Sequence, residues 1–158
     1  MTNKWKTALK GIGMFLLRLL TLTAAYLSVE TLGAWILQPE SLGWLWFGAC
    51  WALILASIAL LLPRKNGRIF FGITYYFFLL WTLAQTGYCR MFSRMMWLTD
   101  VFYAGEGAGY LGGVLGAFPA IWWIGGVVLL GMGVLLVWKF PDSNKRFWKR
   151  LPYSVAAL

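Results

Sequence analysis

Residues 42–62 read LGWLWFGACWALILASIALLL and contain no charged side chain. An α-helix of this length, rising about 1.5 Å per residue, spans the roughly 30 Å hydrocarbon core of a bilayer. Three further apolar runs cover 11–37, 69–87 and 119–138. Only 12% of the chain is charged, whereas soluble domains carry about 25%. The sequence therefore predicts an all-α, polytopic membrane protein with four transmembrane helices.

Polar segments separate these runs. Proline at 39 disfavours helix in the residue before it and ends the first run, and a polar turn at 63–68 separates the second from the third. A basic segment after the fourth run leads into LPYSVAAL, which is typical of the start of a fifth apolar helix near residue 151. We therefore expect the native chain to continue beyond Leu158.

The charges predict an orientation. The net charge is +9, and the basic residues cluster between the apolar runs. With a cytoplasmic N-terminus, eleven of the fourteen Lys and Arg fall on the cytoplasmic side, as the positive-inside rule requires. These eleven are Lys4, Lys6, Lys10, Arg64, Lys65, Arg68, Lys139, Lys145, Arg146, Lys149 and Arg150. Because the clusters follow membrane topology, they argue against nucleic-acid binding.

The chain offers few groups for chemistry. It has two cysteines, Cys50 and Cys89, and no histidine. Without histidine there is no Ser-His or Cys-His couple and no His-based metal site, and the cysteines have no metal-ligand spacing. We therefore predict no catalytic residue and no metal ligand in this chain.

Residues 88–118 differ from the apolar runs because they are aromatic, rich in glycine and partly charged. We expect short helices lying at the membrane interface, where Trp and Tyr are enriched. The stretch GEGAGYLGGVLG at 105–116 is not predicted to bind a nucleotide, because a glycine-rich phosphate loop needs a preceding strand. A closely packed or flexible outer loop is the better interpretation.

Two arginines in this segment form the candidate site. If the segment is helical, Arg90 and Arg94 share one helix face, and Tyr88 and Trp97 place amphipathic rings beside them. Guanidinium groups at the outer headgroup level can bind a phosphate through paired hydrogen bonds, so the pattern favours a site for an anionic lipid headgroup. A second interpretation stays open, in which the arginines only anchor the segment and pair with nearby acids, Asp100 or Glu106.

Two charged residues lie inside the first run. Arg18 and Glu30 are too far apart to pair within one helix. Each could extend its side chain toward the nearer membrane surface, and Glu30 could instead meet another helix. A functional polar site is the alternative for both, because charges within a membrane are costly.

The order of features after residue 64 resembles a known family. An aromatic helix leads into Tyr88-Cys89-Arg90-Met91-Phe92-Ser93, followed by a glycine-bearing segment, another helix and a basic segment. This is similar to the N-terminal membrane domain of lipoteichoic acid synthases and related phosphoglycerol transferases, where Tyr-aromatic-Arg-aromatic-Phe-Ser-Asp follows the third helix. Tyr88, Arg90, Phe92 and Ser93 match that pattern. Arg94 stands where the family has Asp, and Cys89 and Met91 replace aromatics.

The resemblance implies an anchor in a bacterial cell membrane. Enzymes of this family have five membrane helices followed by an extracellular sulfatase-like domain with a threonine nucleophile and a divalent metal, usually manganese. They transfer glycerol phosphate from phosphatidylglycerol to a polymer on a glycolipid anchor. None of that domain is among these 158 residues. The implied partners are anionic phosphatidylglycerol, whose headgroup this part would help to bind, and the chain's own C-terminal domain.

Other classes of function stay open from the residues. A self-contained small integral membrane protein would act as a subunit or lipid-binding accessory of a larger complex. A transporter is a weaker alternative, because the predicted spans carry few polar groups beyond Thr74, Thr82 and Gln85.

Overall fold

The computed structural model describes residues 2–37, 43–97, 99–100, 116 and 118–141, with side chains from residue 11 and, after the first gap, from residue 46. The four helices of these ranges, in chain order, are α1 (Thr2–Leu37), α2 (Gly43–Leu61), α3 (Arg64–Phe92) and α4 (Ala120–Trp138). No strand occurs in this described part. The prediction of an all-α fold is therefore confirmed for the described residues.

In the described part of the chain, three helices are long and apolar enough to cross a membrane, whereas four were predicted: Gly11–Leu37 within α1, then α3, then α4. In α2 the apolar stretch with described side chains, Trp46–Leu61, is shorter. Large apolar side chains cover the outward faces, including Trp46, Ile73 and Val127. Hydrocarbon solvates such faces and water does not. The described chain thus has the surface of a helical membrane protein.

The boundaries of α2 and α4 match the predicted spans closely, and the apolar part of α1, Gly11–Leu37, coincides with the predicted span 11–37. Helix α1 as a whole and helix α3 are longer than predicted. Helix α1 begins at Thr2 rather than at residue 11. Helix α3 begins at Arg64 and ends at Phe92, whereas 69–87 was predicted. The predicted polar turn is wrong over Arg64–Arg68, because the breaker Pro63 precedes the helix and Arg and Lys are good helix formers.

The predicted interfacial helices are also corrected at their start. Tyr88 through Phe92 are the last residues of α3, not a separate element. Residues 101–115, which include Glu106 and most of the glycine-rich stretch, lie outside the described residues, as do the turn at 38–40 and the fifth helix predicted near 151.

Aromatic side chains on α3 form the centre of the bundle. Phe71 and Tyr75 are fully buried, and their rings stack with centroids 5.5 Å apart. The Tyr75 hydroxyl donates to the Leu129 carbonyl of α4 at 2.9 Å. On the other side, the hydroxyls of Tyr26 on α1 and Thr74 share a hydrogen bond of 2.5 Å. Packing and such hydrogen bonds hold helices together where the solvent is lipid.

Candidate lipid-headgroup site at the end of α3

The last turns of α3 are fixed against α4. Thr86 is buried, and its hydroxyl accepts a hydrogen bond of 3.0 Å from the Trp122 indole nitrogen. Gly87 lies beneath the Phe118 ring, and a Cβ built at Gly87 would stand 2.8 Å from that ring. The Phe118 and Trp122 rings stack at 4.4 Å. Whatever follows Gly87 on α3 is therefore held in a defined position.

Helix α3 ends at a left-handed residue. Ser93 has φ 53° and ψ 25°, and its N–H donates to the Cys89 carbonyl at 2.8 Å. This conformation closes a helix and turns the chain away from its axis. Arg94 consequently lies beyond the helix, so the expectation that Arg90 and Arg94 share a helix face is wrong.

Gln85 holds the returning segment. Its Oε1 accepts the Met96 N–H at 2.9 Å, and its Nε2 donates to the Met96 carbonyl at 3.0 Å. One side-chain amide thus satisfies both backbone groups of a residue that follows the helix. The sequence predicts Gln85 only as a polar group within a membrane span. A glutamine within an apolar helix was the available signal, but its partner could not be read from the sequence.

Asp100 closes a turn with Trp97. The Trp97 N–H donates to Asp100 Oδ2 at 2.9 Å, and the Asp100 N–H donates to the Trp97 carbonyl at 3.0 Å. The bond from the Trp97 amide, followed by that from Arg94, lowers the pKa of Asp100 below its ordinary value. Asp100 is therefore a stable anion at neutral pH.

Arg94 lies between Tyr88 and Asp100. Its Nη2 donates to the Tyr88 hydroxyl at 2.6 Å and to Asp100 Oδ1 at 3.2 Å. The guanidinium carbon lies 5.3 Å from the centre of the Tyr88 ring. The hydrogen bond to Asp100 raises the pKa of Arg94 above its ordinary value. The ion pair with Asp100, expected under the anchoring interpretation, is confirmed.

Arg90 is differently placed. It lies in the last turn of α3, where a positive charge complements the helix dipole, and its side chain is exposed. It makes no hydrogen bond or ion pair with the described residues. Trp97 is also exposed, at 72%. Of the four predicted site residues, Tyr88 and Arg94 are in contact through a hydrogen bond. Arg90 and Trp97 are exposed and are close to them in the sequence.

The two charges of α1 lie apart from this site. Arg18 is half-buried on α1. Glu30 meets α2: a Cβ built at Gly48 would stand 2.9 Å from the Glu30 carboxyl carbon. Two structural roles were predicted for Glu30, extension toward the membrane surface and contact with another helix. The structure shows the contact with another helix.

Comparisons with known proteins assign no family to this chain. The fold defines the general class, an α-helical chain with helices able to cross a membrane. No protein-family model matches the chain, and no curated protein or solved structure matches it significantly. Within the described ranges, no group of three or more His, Cys, Asp or Glu side chains could hold a metal ion.

Proposed function

We propose that this chain is the membrane domain of a phosphoglycerol transferase of the lipoteichoic acid synthase type. In this proposal four helices span a bacterial cell membrane, the N-terminus is cytoplasmic, and the end of α3 binds the headgroup of phosphatidylglycerol at the outer face. The observation that carries the proposal is the exposed Arg90 guanidinium at the end of an apolar helix, with no partner among the described residues.

An arginine at the edge of the hydrocarbon needs an anionic or hydrogen-bonding partner, because its charge is costly in lipid. The described protein supplies none for Arg90. A lipid phosphate supplies two or more acceptor oxygens in the geometry that a guanidinium fork matches. We therefore expect a lipid phosphate to contact Arg90 at this end of α3.

Arg94 retains capacity for the same ligand. A guanidinium has five N–H donors, and both described hydrogen bonds of Arg94 use Nη2. The donors on Nε and Nη1 remain, and the side chain is 53% exposed. Asp100 and Tyr88 hold Arg94 in place, and those donors are available to an anion.

The test is lipid binding to the purified protein in nanodiscs. Arg90→Ala should weaken retention of phosphatidylglycerol about tenfold relative to phosphatidylcholine, because a hydrogen-bonded charge contact is lost. Arg68→Ala is the matched control, since Arg68 is an exposed arginine at the opposite end of the same helix. Equal effects of the two substitutions would show general charge attraction and contradict a headgroup site.

The link to a transferase is tested separately by the intact mass of the protein in its native membrane. A mass several times 17.9 kDa, with a sulfatase-like domain following Leu158, is the expected result. A mass near 17.9 kDa would contradict the link to a transferase and favour a small membrane subunit. The proposal of a headgroup site would then still depend only on the lipid-binding experiment.

A further inference from the structure

A small cleft lies between α1, α2 and α3. Its volume is about 30 Å³, room for one or two water-sized groups. Most of its lining is apolar, including Trp51 and Phe78, and three lining residues have side-chain oxygen atoms: Tyr26, Glu30 and Thr82. The cleft uses none of the residues at the end of α3.

Glu30 is the charged group in this lining. Its carboxylate makes no hydrogen bond or ion pair with the part of the chain that the structure describes. Gly48 on α2 leaves the space that the carboxylate occupies, because a Cβ there would stand 2.9 Å from both the carboxyl carbon and Oε2. Two helices thus meet at a half-buried carboxylate, and their described residues supply it no donor.

The neighbouring hydroxyls have acceptor capacity. The Thr82 methyl packs against α1 at Gly33, where a Cβ would stand 2.8 Å from Thr82 Cγ2. Its hydroxyl forms no hydrogen bond with the described residues. The Tyr26 hydroxyl is bonded to Thr74. A cleft lined by a carboxylate and by a threonine hydroxyl suits a small cation with several N–H donors.

The depth of the cleft favours a lipid as the source of that cation. Glu30 lies seven residues before the end of α1 at Leu37, which is about 10 Å along the helix. Exposed Trp35 and Trp46 lie near the adjoining ends of α1 and α2, and Trp is enriched where hydrocarbon meets headgroups. The cleft therefore lies within reach of a headgroup.

We propose that this cleft binds the primary ammonium group of a membrane lipid, with Glu30 as counter-ion and Thr82 as a second acceptor. A primary ammonium is about the size of a water molecule and fits the volume, whereas a choline group carries three more methyl groups and does not. The site is independent of the proposed phosphate site, and its ligand is an ethanolamine-type headgroup.

The experiment compares retention of phosphatidylethanolamine and phosphatidylcholine with identical acyl chains, by native mass spectrometry of the purified chain. Wild type should retain phosphatidylethanolamine about tenfold more strongly, as expected for one charge-assisted contact. Glu30→Gln keeps the side-chain size and should abolish the preference. Gly48→Ala, whose methyl would compete with the carboxylate for space, should also abolish it.

Gly131→Ala is the matched control and should retain the preference, because no atom lies within 4 Å of the added Cβ. Arg90→Ala should also retain it, which separates this site from the end of α3. Thermal unfolding verifies that Glu30→Gln remains folded. Equal retention of both lipids by wild type, or a preference that survives in Glu30→Gln, would overturn the proposal.

Discussion

At the scale of single residues, a carboxylate and a neutral amide hold the segment after α3. Asp100 accepts from the Trp97 amide and from Arg94, so its contribution depends on charge. Gln85 pairs with the Met96 backbone and is independent of pH. The Arg94–Asp100 pair was one of the alternatives predicted from nearby opposite charges, whereas the Gln85 contact depends on the left-handed Ser93.

Acid should loosen the turn between Trp97 and Asp100. The pKa of Asp100 is lowered in the folded protein, so its stabilisation is present above the ordinary pKa of 3.8 and is lost as the pH falls through the lower folded value. The measurement is the hydrogen-exchange protection factor of the Trp97 amide between pH 7 and 2. It should fall below about pH 4, and the step should disappear in Asp100→Asn. Protection that is independent of pH in wild type would contradict this role.

At the scale of helices, glycines decide how closely α2 and α3 approach. Gly67 is buried, and a Cβ built there would collide with the Ala59 carbonyl oxygen of α2 and stand 3.2 Å from the Phe140 ring. Backbone cannot rotate aside as a flexible side chain can. The crossing of α2 and α3 therefore requires glycine at this position. Gly131 on α4 has no such neighbour.

Gly67→Ala should destabilise the bundle by about 1–3 kcal/mol, the usual cost of overpacking a core. Gly131→Ala should be neutral or stabilise by up to about 1 kcal/mol, because alanine is the better helix former. Unfolding in mixed micelles with increasing SDS measures both. Similar losses for the two substitutions would show that helix propensity, not the contact with Ala59, governs Gly67.

At the scale of the whole molecule, the charges at the two ends of α3 predict an orientation in the membrane. Exposed Arg64, Lys65 and Arg68 begin α3, and Arg90 and Arg94 lie at or after its end. Three basic residues and no acid stand in the first turns. The positive-inside rule therefore predicts that the start of α3 faces the cytoplasm and that its end faces outward.

Cysteine labelling tests this orientation in intact cells. In a background with Cys50 and Cys89 changed to serine, Thr99→Cys should react with a membrane-impermeant maleimide added outside. Lys65→Cys should react only after the membrane is permeabilised. Both positions have exposed side chains, so accessibility to the reagent differs only by the side of the membrane. The reverse labelling pattern would require the opposite orientation.

The sequence by itself determined that the described chain is helical and approximately where α2 and α4 lie. The physical reason is that backbone groups in lipid must be satisfied within a helix, so length and apolarity are sufficient signals. The tertiary structure decided where α3 ends, that Arg94 pairs with Asp100, and that Glu30 lies against Gly48. These contacts depend on which faces of separate helices meet, and that is set by packing between residues far apart in the chain.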